Sequence, residues 1–114
     1  MTKIIKKPWG KEELITHDKN YVLKKITMYK NCQCSLQFHE IKNETIYVLE
    51  GKLKVIYGKD LSSLNEIILN KNDSIEIKSP MVHRMFGEEH SVYLEASTSE
   101  LEDVVRIEDD YGRL

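Results

Sequence analysis

The sequence predicts an all-β fold, a small barrel or sandwich of short strands. Segments rich in β-branched and aromatic residues recur at even spacing along the chain. Clusters of turn-forming residues separate these segments, and only residues 60–65 have any helical character. We therefore expect a single domain that spans residues 1–114, which is long enough to bury a hydrophobic core without disulfide bonds or a structural metal.

The predicted strands follow one another from residue 22 to residue 107. Residues 22–29 are rich in β-formers, and residues 35–39 alternate between polar and apolar side chains. Residues 45–49 and 53–57 flank Gly51, which predicts a turn between two strands. Five further strands are predicted in the second half of the chain: residues 67–69, 74–77, 83–86, 92–96 and 103–107.

Composition is that of an ordinary globular protein, with 40% hydrophobic and 32% charged residues and a net charge of -2. No basic block extends beyond Lys3–Lys7, so we expect no nucleic-acid partner. No apolar run has the length of a membrane span or of a signal-peptide core, so we expect no membrane partner and a cytoplasmic location. The cysteines, Cys32 and Cys34, are expected to be reduced thiols.

Two distant segments carry the residue types of a metal site. Gln37 and His39 lie two residues apart on one predicted strand and therefore share a face, with Ile41 at the end of that strand. Glu44 opens the next strand, which we expect to lie beside His39 as an antiparallel neighbour, and His83 comes from far downstream. Imidazole, carboxylate and carboxamide donors suit Zn, Mn, Fe, Co or Ni. The alternative is a solvated hydrogen-bonded cluster with His83 exposed in a loop.

The same residues resemble the first motif of the cupin superfamily, G-x5-H-x-H-x3-4-E-x6-G. His39, Ile41 and Glu44 occupy its two histidine positions and its glutamate position, and Gly51 closes it. The second cupin motif is degraded, but His83 occupies its histidine position. The resemblance implies a small single-domain cupin, a double-stranded β-helix or jelly-roll barrel.

Within the cupins, the chain is similar to the type II phosphomannose isomerases, which also occur fused to mannose-1-phosphate guanylyltransferases. Lys7–Gly10 is similar to R-P-W-G, Ser35–His39 to S-L-Q-x-H, and Val105–Arg113 to V-R-x-E-D-D-Y-G-R. These matches span nearly the whole chain. They imply a metal-dependent isomerase of sugar phosphates, such as the enzyme that interconverts mannose 6-phosphate and fructose 6-phosphate.

The chain also departs from the family pattern. Ile41 stands at the second histidine position and cannot bind a metal, and Lys42 replaces the arginine that follows it. Another class of phosphomannose isomerase resembles this arrangement, with Gln, His, Glu and His as its metal ligands. The resemblance therefore implies one divalent metal, with zinc as the first choice. Its ligands would be Gln37, His39, Glu44 and His83.

Four residues are candidates for substrate contact or catalysis. Arg113 would bind a phosphate through two parallel hydrogen bonds, with Tyr111 beside it, and the alternative is a surface ion pair to Asp109 or Asp110. Glu95 either faces solvent or points inward, where desolvation would make it a candidate base. Lys42 either contacts substrate or is an exposed residue at a strand end.

Two classes of function stay open. The first is an aldose-ketose isomerase or epimerase acting on a sugar phosphate or an activated sugar. The second is a non-catalytic cupin that binds a sugar or sugar nucleotide as a regulatory or assembly module. No phosphate-cradling glycine loop is present in the sequence, so we do not expect nucleotidyl transfer. We expect a homodimer, because a sheet edge must be covered.

Overall fold

The computed structural model describes residues 2–114 and contains eleven β-strands. No helix occurs among the described residues. The strands are β1 (Lys3–Lys7), β2 (Gly10–His17), β3 (Val22–Met28), β4 (Leu36–Phe38), β5 (Glu44–Glu50), β6 (Lys52–Gly58), β7 (Asn65–Asn70), β8 (Ser74–Ile77), β9 (Val82–Gly87), β10 (Ser91–Ser97) and β11 (Val105–Glu108).

The strands form two antiparallel sheets that enclose a common core. The six-stranded sheet has the order β1-β2-β3-β10-β5-β8, and the five-stranded sheet has the order β11-β4-β9-β6-β7. From β4 onward the chain crosses repeatedly between the sheets, so strands that follow one another in sequence mostly lie in different layers. This winding is that of a jelly roll. The predicted all-β jelly-roll fold is therefore confirmed.

The core is built by residues that alternate along the strands. Ile46 and Val48 of β5 are fully buried, whereas Tyr47 between them is exposed. Leu53 and Val55 of β6 are also fully buried and come from the other sheet. Burying one such side chain contributes about 1.5–3 kcal/mol, so the alternation fixes which face of each strand turns inward.

Gly51 joins β5 and β6 in the predicted turn. Its φ of 90° is a conformation that side chains disfavour, and a Cβ at this position would lie 2.3 Å from the carbonyl oxygen of His90. Only glycine fits both the backbone conformation and this close approach.

The N-terminal strands and the residues after β6 differ from the sequence prediction. β1 and β2 are not predicted because Lys3–Lys7 holds two adjacent isoleucines and β2 has three charged residues in a row after Gly10, so neither alternates strictly. β1 pairs with β2, and β2 pairs with β3, and the hydrogen bonds between these strands set their conformation. Residues 60–64 form turns instead of a helix, and Asn65 already belongs to β7. The Asp60 carboxylate accepts hydrogen bonds from the backbone and hydroxyl of Ser62 at 3.0 and 2.8 Å.

The outermost strands of the two sheets are β1, β8, β11 and β7. The structure describes one chain, so the expected homodimer stays a prediction. In the part of the chain that the structure covers, no helix has the length and apolarity needed to span a membrane.

Candidate metal centre

Three side chains from separate parts of the chain converge at one end of the sandwich. His39 follows β4, Glu44 is the first residue of β5, and His83 is the second residue of β9. Their exposed fractions are 3%, 5% and 0%. One nitrogen or oxygen atom of each lies within 4.8 Å of the others, which is close enough for a single ion to contact all three.

The local sequence explains why Glu44 points inward. Glu44 lies two residues before Ile46 on β5, so it shares the buried face of that strand. His83 likewise lies two residues before Met85, which belongs to the core. At the end of each strand the inner face therefore changes from apolar to ionisable side chains.

His39 and Glu44 meet across the sandwich, not along one sheet. β4 pairs with β9 and β11, whereas β5 pairs with β10 and β8. The expected antiparallel pairing of their two strands is therefore wrong. Residues 39–43 carry the chain from one sheet to the other, and this crossing places the imidazole opposite the carboxylate.

Hydrogen bonds assign the tautomers of both imidazoles. His39 Nδ1 lies 2.6 Å from the carbonyl oxygen of Asp103, and His83 Nδ1 lies 3.0 Å from that of Met81. Because a carbonyl oxygen only accepts, each Nδ1 carries the hydrogen. A neutral imidazole then has a lone pair on Nε2. The two Nε2 atoms lie 3.3 and 3.1 Å from Oε1 of Glu44.

This arrangement fits a divalent cation. Two nitrogen lone pairs and a carboxylate oxygen face one another with no hydrogen between them, unless each imidazole takes a second proton. His83 Nε2 and Glu44 Oε2 are buried and have no hydrogen-bond partner among the described residues. Buried polar atoms without partners are rare and need an explanation. A metal ion bound by two neutral imidazoles and a carboxylate would supply one.

Gln37, the fourth predicted ligand, lies beside this group. Gln37 is the register partner of His83 across β4 and β9, so the two side chains are on the same side of the sheet. Its Oε1 accepts a hydrogen bond from the hydroxyl of Ser35 at 2.8 Å, and an amide oxygen has a second lone pair free for a metal.

Ile41 does not share the face of Gln37 and His39. β4 ends at Phe38, so the alternation of the strand stops before it reaches residue 41. Ile41 lies in the loop that follows and is 66% exposed. A histidine at this position with the same backbone would not point at the other three side chains.

A network of buried ion pairs adjoins the three converging residues. Lys42 Nζ lies 3.4 Å from Glu95 and 3.6 Å from Glu44. Lys24 Nζ lies 3.2 Å from Glu12 and 3.9 Å from Glu95. Glu95 therefore points inward, and the solvent-facing alternative is wrong. Lys42 is only 6% exposed, so the expectation of an exposed lysine at a strand end is also wrong.

The charges in this network move the pKa values of its members. Burial and the nearby charge of Glu44 raise the pKa of Glu95 to about 7, although Lys42 and Lys24 oppose the change. Burial also acts to raise the pKa of Glu44, but the contacts with the His39 and His83 imidazoles and the charge of Lys42 outweigh it. The pKa of Glu44 is therefore well below its ordinary value.

Asp103 holds the loop between β4 and β5. Its carboxylate accepts hydrogen bonds from the backbone N–H groups of Glu40, Ile41 and Lys42 at 3.0, 2.7 and 2.9 Å. Its carbonyl oxygen also accepts the bond from His39 Nδ1. One residue thus fixes both the path of the loop and the orientation of an imidazole. Asp103 could not be singled out from the sequence, because a loop aspartate carries no signal for this role.

Two cavities border the group. The smaller, of about 60 Å³, is lined by Glu44, and the larger, of about 410 Å³, is lined by His39 and Lys42. The larger volume is in the usual range for pockets that bind small molecules. Five polar residues line both cavities: Lys7, Glu12, Gln37, Glu95 and Arg106. His83 borders neither cavity.

Arg113 lies at the smaller cavity with Tyr111 beside it, but the Arg113 guanidinium is already paired. It donates two parallel hydrogen bonds to Asp109, with Nη2 at 2.7 Å from Oδ1 and Nε at 3.1 Å from Oδ2. This is the ion-pair alternative of the sequence analysis. The Arg113 guanidinium also lies 5.6 Å from the ring centre of Tyr111, which packs against the core. Arg113 lines the smaller cavity.

The sequence of residues 1–109 matches a family described as mannose-6-phosphate isomerase C-terminal. Among curated relatives, xanthan biosynthesis protein XanB of Xanthomonas campestris pv. campestris is 29% identical over 112 residues, which are 94% of this chain and 23% of that protein. Mannose-1-phosphate guanylyltransferase of Escherichia coli is 32% identical over 113 residues, which are 95% of this chain and 23% of that protein. The chain thus spans about a quarter of the length of these relatives.

A solved structure shares the fold. A variant of oxalate decarboxylase from Bacillus subtilis superposes with a TM-score of 0.81 at 15% identity, covering 93% of this chain and 30% of that one. At this identity the likeness concerns the fold alone. The family match over residues 1–109 and the cupin jelly roll lead to one conclusion. The chain belongs to the mannose-6-phosphate isomerase C-terminal family of cupin domains.

Proposed function

We propose that the chain is a metal-dependent aldose-ketose isomerase acting on a sugar phosphate, with mannose 6-phosphate as the expected substrate. The observation that carries the proposal is the convergence of His39, Glu44 and His83 beside a cavity of about 410 Å³. The family description refers to mannose 6-phosphate, and the names of two relatives refer to mannose 1-phosphate and to xanthan biosynthesis. These names support a sugar phosphate as the substrate class.

His39, Glu44 and His83 would hold the metal, with Gln37 as the fourth ligand. When bound, a divalent metal supplies positive charge that stabilises negative charge developing on the substrate oxygens. Zinc is our first choice, with Mn, Fe, Co and Ni as the other candidates. The oxalate decarboxylase of Bacillus subtilis, which shares the fold, has Mn(II) centres.

Glu95 is the proposed base because its buried carboxylate lines both cavities. The isomerisation moves one proton from C2 to C1 of the sugar and one from the C2 hydroxyl oxygen to the C1 oxygen, so atoms and charge balance. A carboxylate beside both carbons would accept the first proton and return it to the neighbouring carbon. The second proton passes between the two oxygens.

Lys42 is the proposed contact to the substrate hydroxyls. Its ammonium group lies between the Glu95 and Glu44 carboxylates and lines the larger cavity, so it holds Glu95 in place and has a third donor to offer. Tyr111 and Arg113 are proposed as outer contacts. Arg113 reaches a substrate only if its pair with Asp109 opens, which makes it a weaker anchor than the sequence alone implies.

The proposal is tested by metal analysis and by turnover of mannose 6-phosphate, followed by NMR of the sugar. Protein prepared without chelators or a histidine tag should contain about one metal per chain. Chelation should abolish turnover, and metal addition should restore it. Glu44→Gln should lose turnover while keeping the circular dichroism of the wild type. Unchanged turnover in folded Glu44→Gln and His83→Ala variants would remove the metal from the mechanism.

The second candidate is a non-catalytic module that binds a sugar or a sugar nucleotide. Ile41 favours it, because the second histidine position of the motif holds an exposed apolar residue. The ion pair between Lys42 and Glu95 favours it too, because an occupied carboxylate is a poorer base. Tight binding of the sugar by metal-loaded protein, with no turnover under any metal, would establish this alternative.

A further inference from the structure

We infer that Lys7 and Arg106 form a subsite for the phosphate group of the substrate, and this inference rests on the proposed function. The expected phosphate ligand, Arg113, is already paired with Asp109. The side chains that line the larger cavity include four cations: Lys7, Lys24, Lys42 and Arg106. The structure separates these four into two classes.

Lys24 and Lys42 are neutralised by carboxylates within the protein. Lys24 pairs with Glu12 and Glu95, and Lys42 pairs with Glu95 and Glu44. The same pairs neutralise Glu12 and Glu95, and the third carboxylate that lines this cavity, Glu102, is exposed to solvent. Among the described residues, Lys7 and Arg106 form no ion pair and no side-chain hydrogen bond. They are therefore the cations in this cavity that have charge to offer a ligand.

Arg106 carries a buried donor that nothing in the described chain satisfies. Its Nε has no hydrogen-bond partner, although the atom is shielded from solvent. A buried donor of this kind is costly unless a ligand or water accepts from it. An arginine side chain donates through Nε and Nη in a fork that matches two oxygens of a phosphate. Arg106 lines both cavities, so a phosphate in either is within its reach.

The strand register fixes how far the subsite lies from the metal centre. Arg106 of β11 is the partner of Gln37 on β4, and Gln37 is the partner of His83 on β9. The three side chains therefore form a row on the inner side of one sheet. Two strand spacings of about 4.8 Å separate the backbones at the ends of this row. A six-carbon sugar phosphate is long enough to place its carbonyl end at the metal and its phosphate at Arg106.

The two cations match the charge of the ligand. A phosphate monoester carries close to two negative charges at neutral pH. Lys7 is the last residue of β1, an edge strand of one sheet, and Arg106 lies on β11, an edge strand of the other sheet. The ligand would therefore bridge the two sheets at the mouth of the cavity. Lys7 lies in the N-terminal motif of the family resemblance and Arg106 in the C-terminal one. In this subsite both motifs contribute a cation to the same phosphate.

Calorimetric titration of the metal-loaded chain tests the subsite. The ligands are mannose 6-phosphate, mannose and inorganic phosphate, and the variants are Lys7→Gln, Arg106→Gln and Arg106→Lys. Lys6→Gln is the matched control, because it removes one charge from the neighbouring position of β1 on its exposed face. Arg106→Gln should weaken mannose 6-phosphate binding about 10- to 100-fold. Lys7→Gln should weaken it about 10-fold, and Arg106→Lys should fall between Arg106→Gln and wild type.

Selectivity for the phosphate decides the outcome. Binding of mannose should be unchanged in every variant, and inorganic phosphate should compete with mannose 6-phosphate in the wild type but not in Arg106→Gln. Equal losses of affinity for mannose and mannose 6-phosphate would overturn the inference, because they would mean that Arg106 only shapes the cavity and does not bind the phosphate. A loss in Lys6→Gln equal to that in Lys7→Gln would also overturn it, because only overall charge would then matter.

The subsite and the isomerase proposal fail in different ways. If mannose 6-phosphate binds through Lys7 and Arg106 but does not turn over, the subsite stands and the isomerase fails. If turnover occurs with an unchanged KM in Lys7→Gln and Arg106→Gln, the isomerase stands and the subsite fails.

Discussion

The two ends of the sandwich interior differ, although the same strands build both. On β5 the inward residues change from Glu44 to Ile46, and on β9 they change from His83 to Met85. On β10 the corresponding change runs from Glu95 to Tyr93. The apolar end stabilises the fold through burial alone. The polar end buries charges that cost free energy unless each is paired. The ionisable side chains at the polar end are therefore present at a cost in stability that the apolar end does not have.

Glu95→Gln should have the largest effect at the polar end. Removal of the proposed base should lower turnover about 100- to 10,000-fold. Steady-state rates with mannose 6-phosphate measure the effect. Glu12→Gln is the matched control, since Glu12 is another carboxylate that lines both cavities and pairs with Lys24. An equal loss in both variants would assign Glu95 a role in the ion-pair network instead of in proton transfer.

At the apolar end, Leu53→Ala should lower the free energy of unfolding by about 2–5 kcal/mol, because Leu53 is fully buried and the substitution leaves a cavity. Urea denaturation measures the change. Metal content per folded chain should stay the same. Ile67→Ala on β7 is the control, since Ile67 is 39% exposed and should cost much less. Loss of metal without loss of stability would contradict the separation of the two ends.

Asp103→Ala should weaken metal binding about 10- to 100-fold, the usual effect of removing a group that orients a metal ligand. Three backbone N–H groups in the loop beside His39 would lose their acceptor. Competition with a zinc chelator measures the affinity. Asp60→Ala is the control, because Asp60 also accepts a backbone N–H but lies in the turn before β7. Unchanged affinity in Asp103→Ala would show that packing alone holds the loop.

The smallest expected effect concerns acid stability. Hydrogen bonds from Arg113, opposed by burial, lower the pKa of Asp109 from 3.8 to about 2. A depressed pKa in the folded state means that the pair stabilises the protein fully above about pH 4. This contribution is lost as the pH falls toward 2. The stability difference between wild type and Asp109→Asn, measured by urea denaturation, should therefore shrink over this interval. A difference that is constant from pH 6 to pH 2 would contradict the assignment.

Alternating residues made most of the fold predictable. Nine of the eleven strands lie where the sequence predicts strands, and β1 and β2 are the two that it missed. Those two lie at one side of the six-stranded sheet, where the pairing of β1 with β2 and of β2 with β3 gives them their conformation despite a weak pattern. The alternation within one strand could not show this, because the stabilising hydrogen bonds come from the neighbouring strands.

The candidate site was predictable in part. The types and spacing of His39, Glu44 and His83, together with the family motif, pointed to these residues before their geometry was known. The inward direction of Glu95 and Lys42 was not predictable, because a charged residue on a strand ordinarily faces solvent. Only the packing of the two sheets shows that each of these side chains meets the other.

Local patterns and motifs in the sequence specify the all-β class, the family and the residue types available for metal binding. Only the tertiary structure decided that His39 and Glu44 meet across the sandwich, that Arg113 is paired with Asp109, and that Lys7 and Arg106 share a cavity. The physical reason is that these contacts join residues far apart along the chain. They form only when the chain crosses between two sheets, and no local preference specifies that crossing.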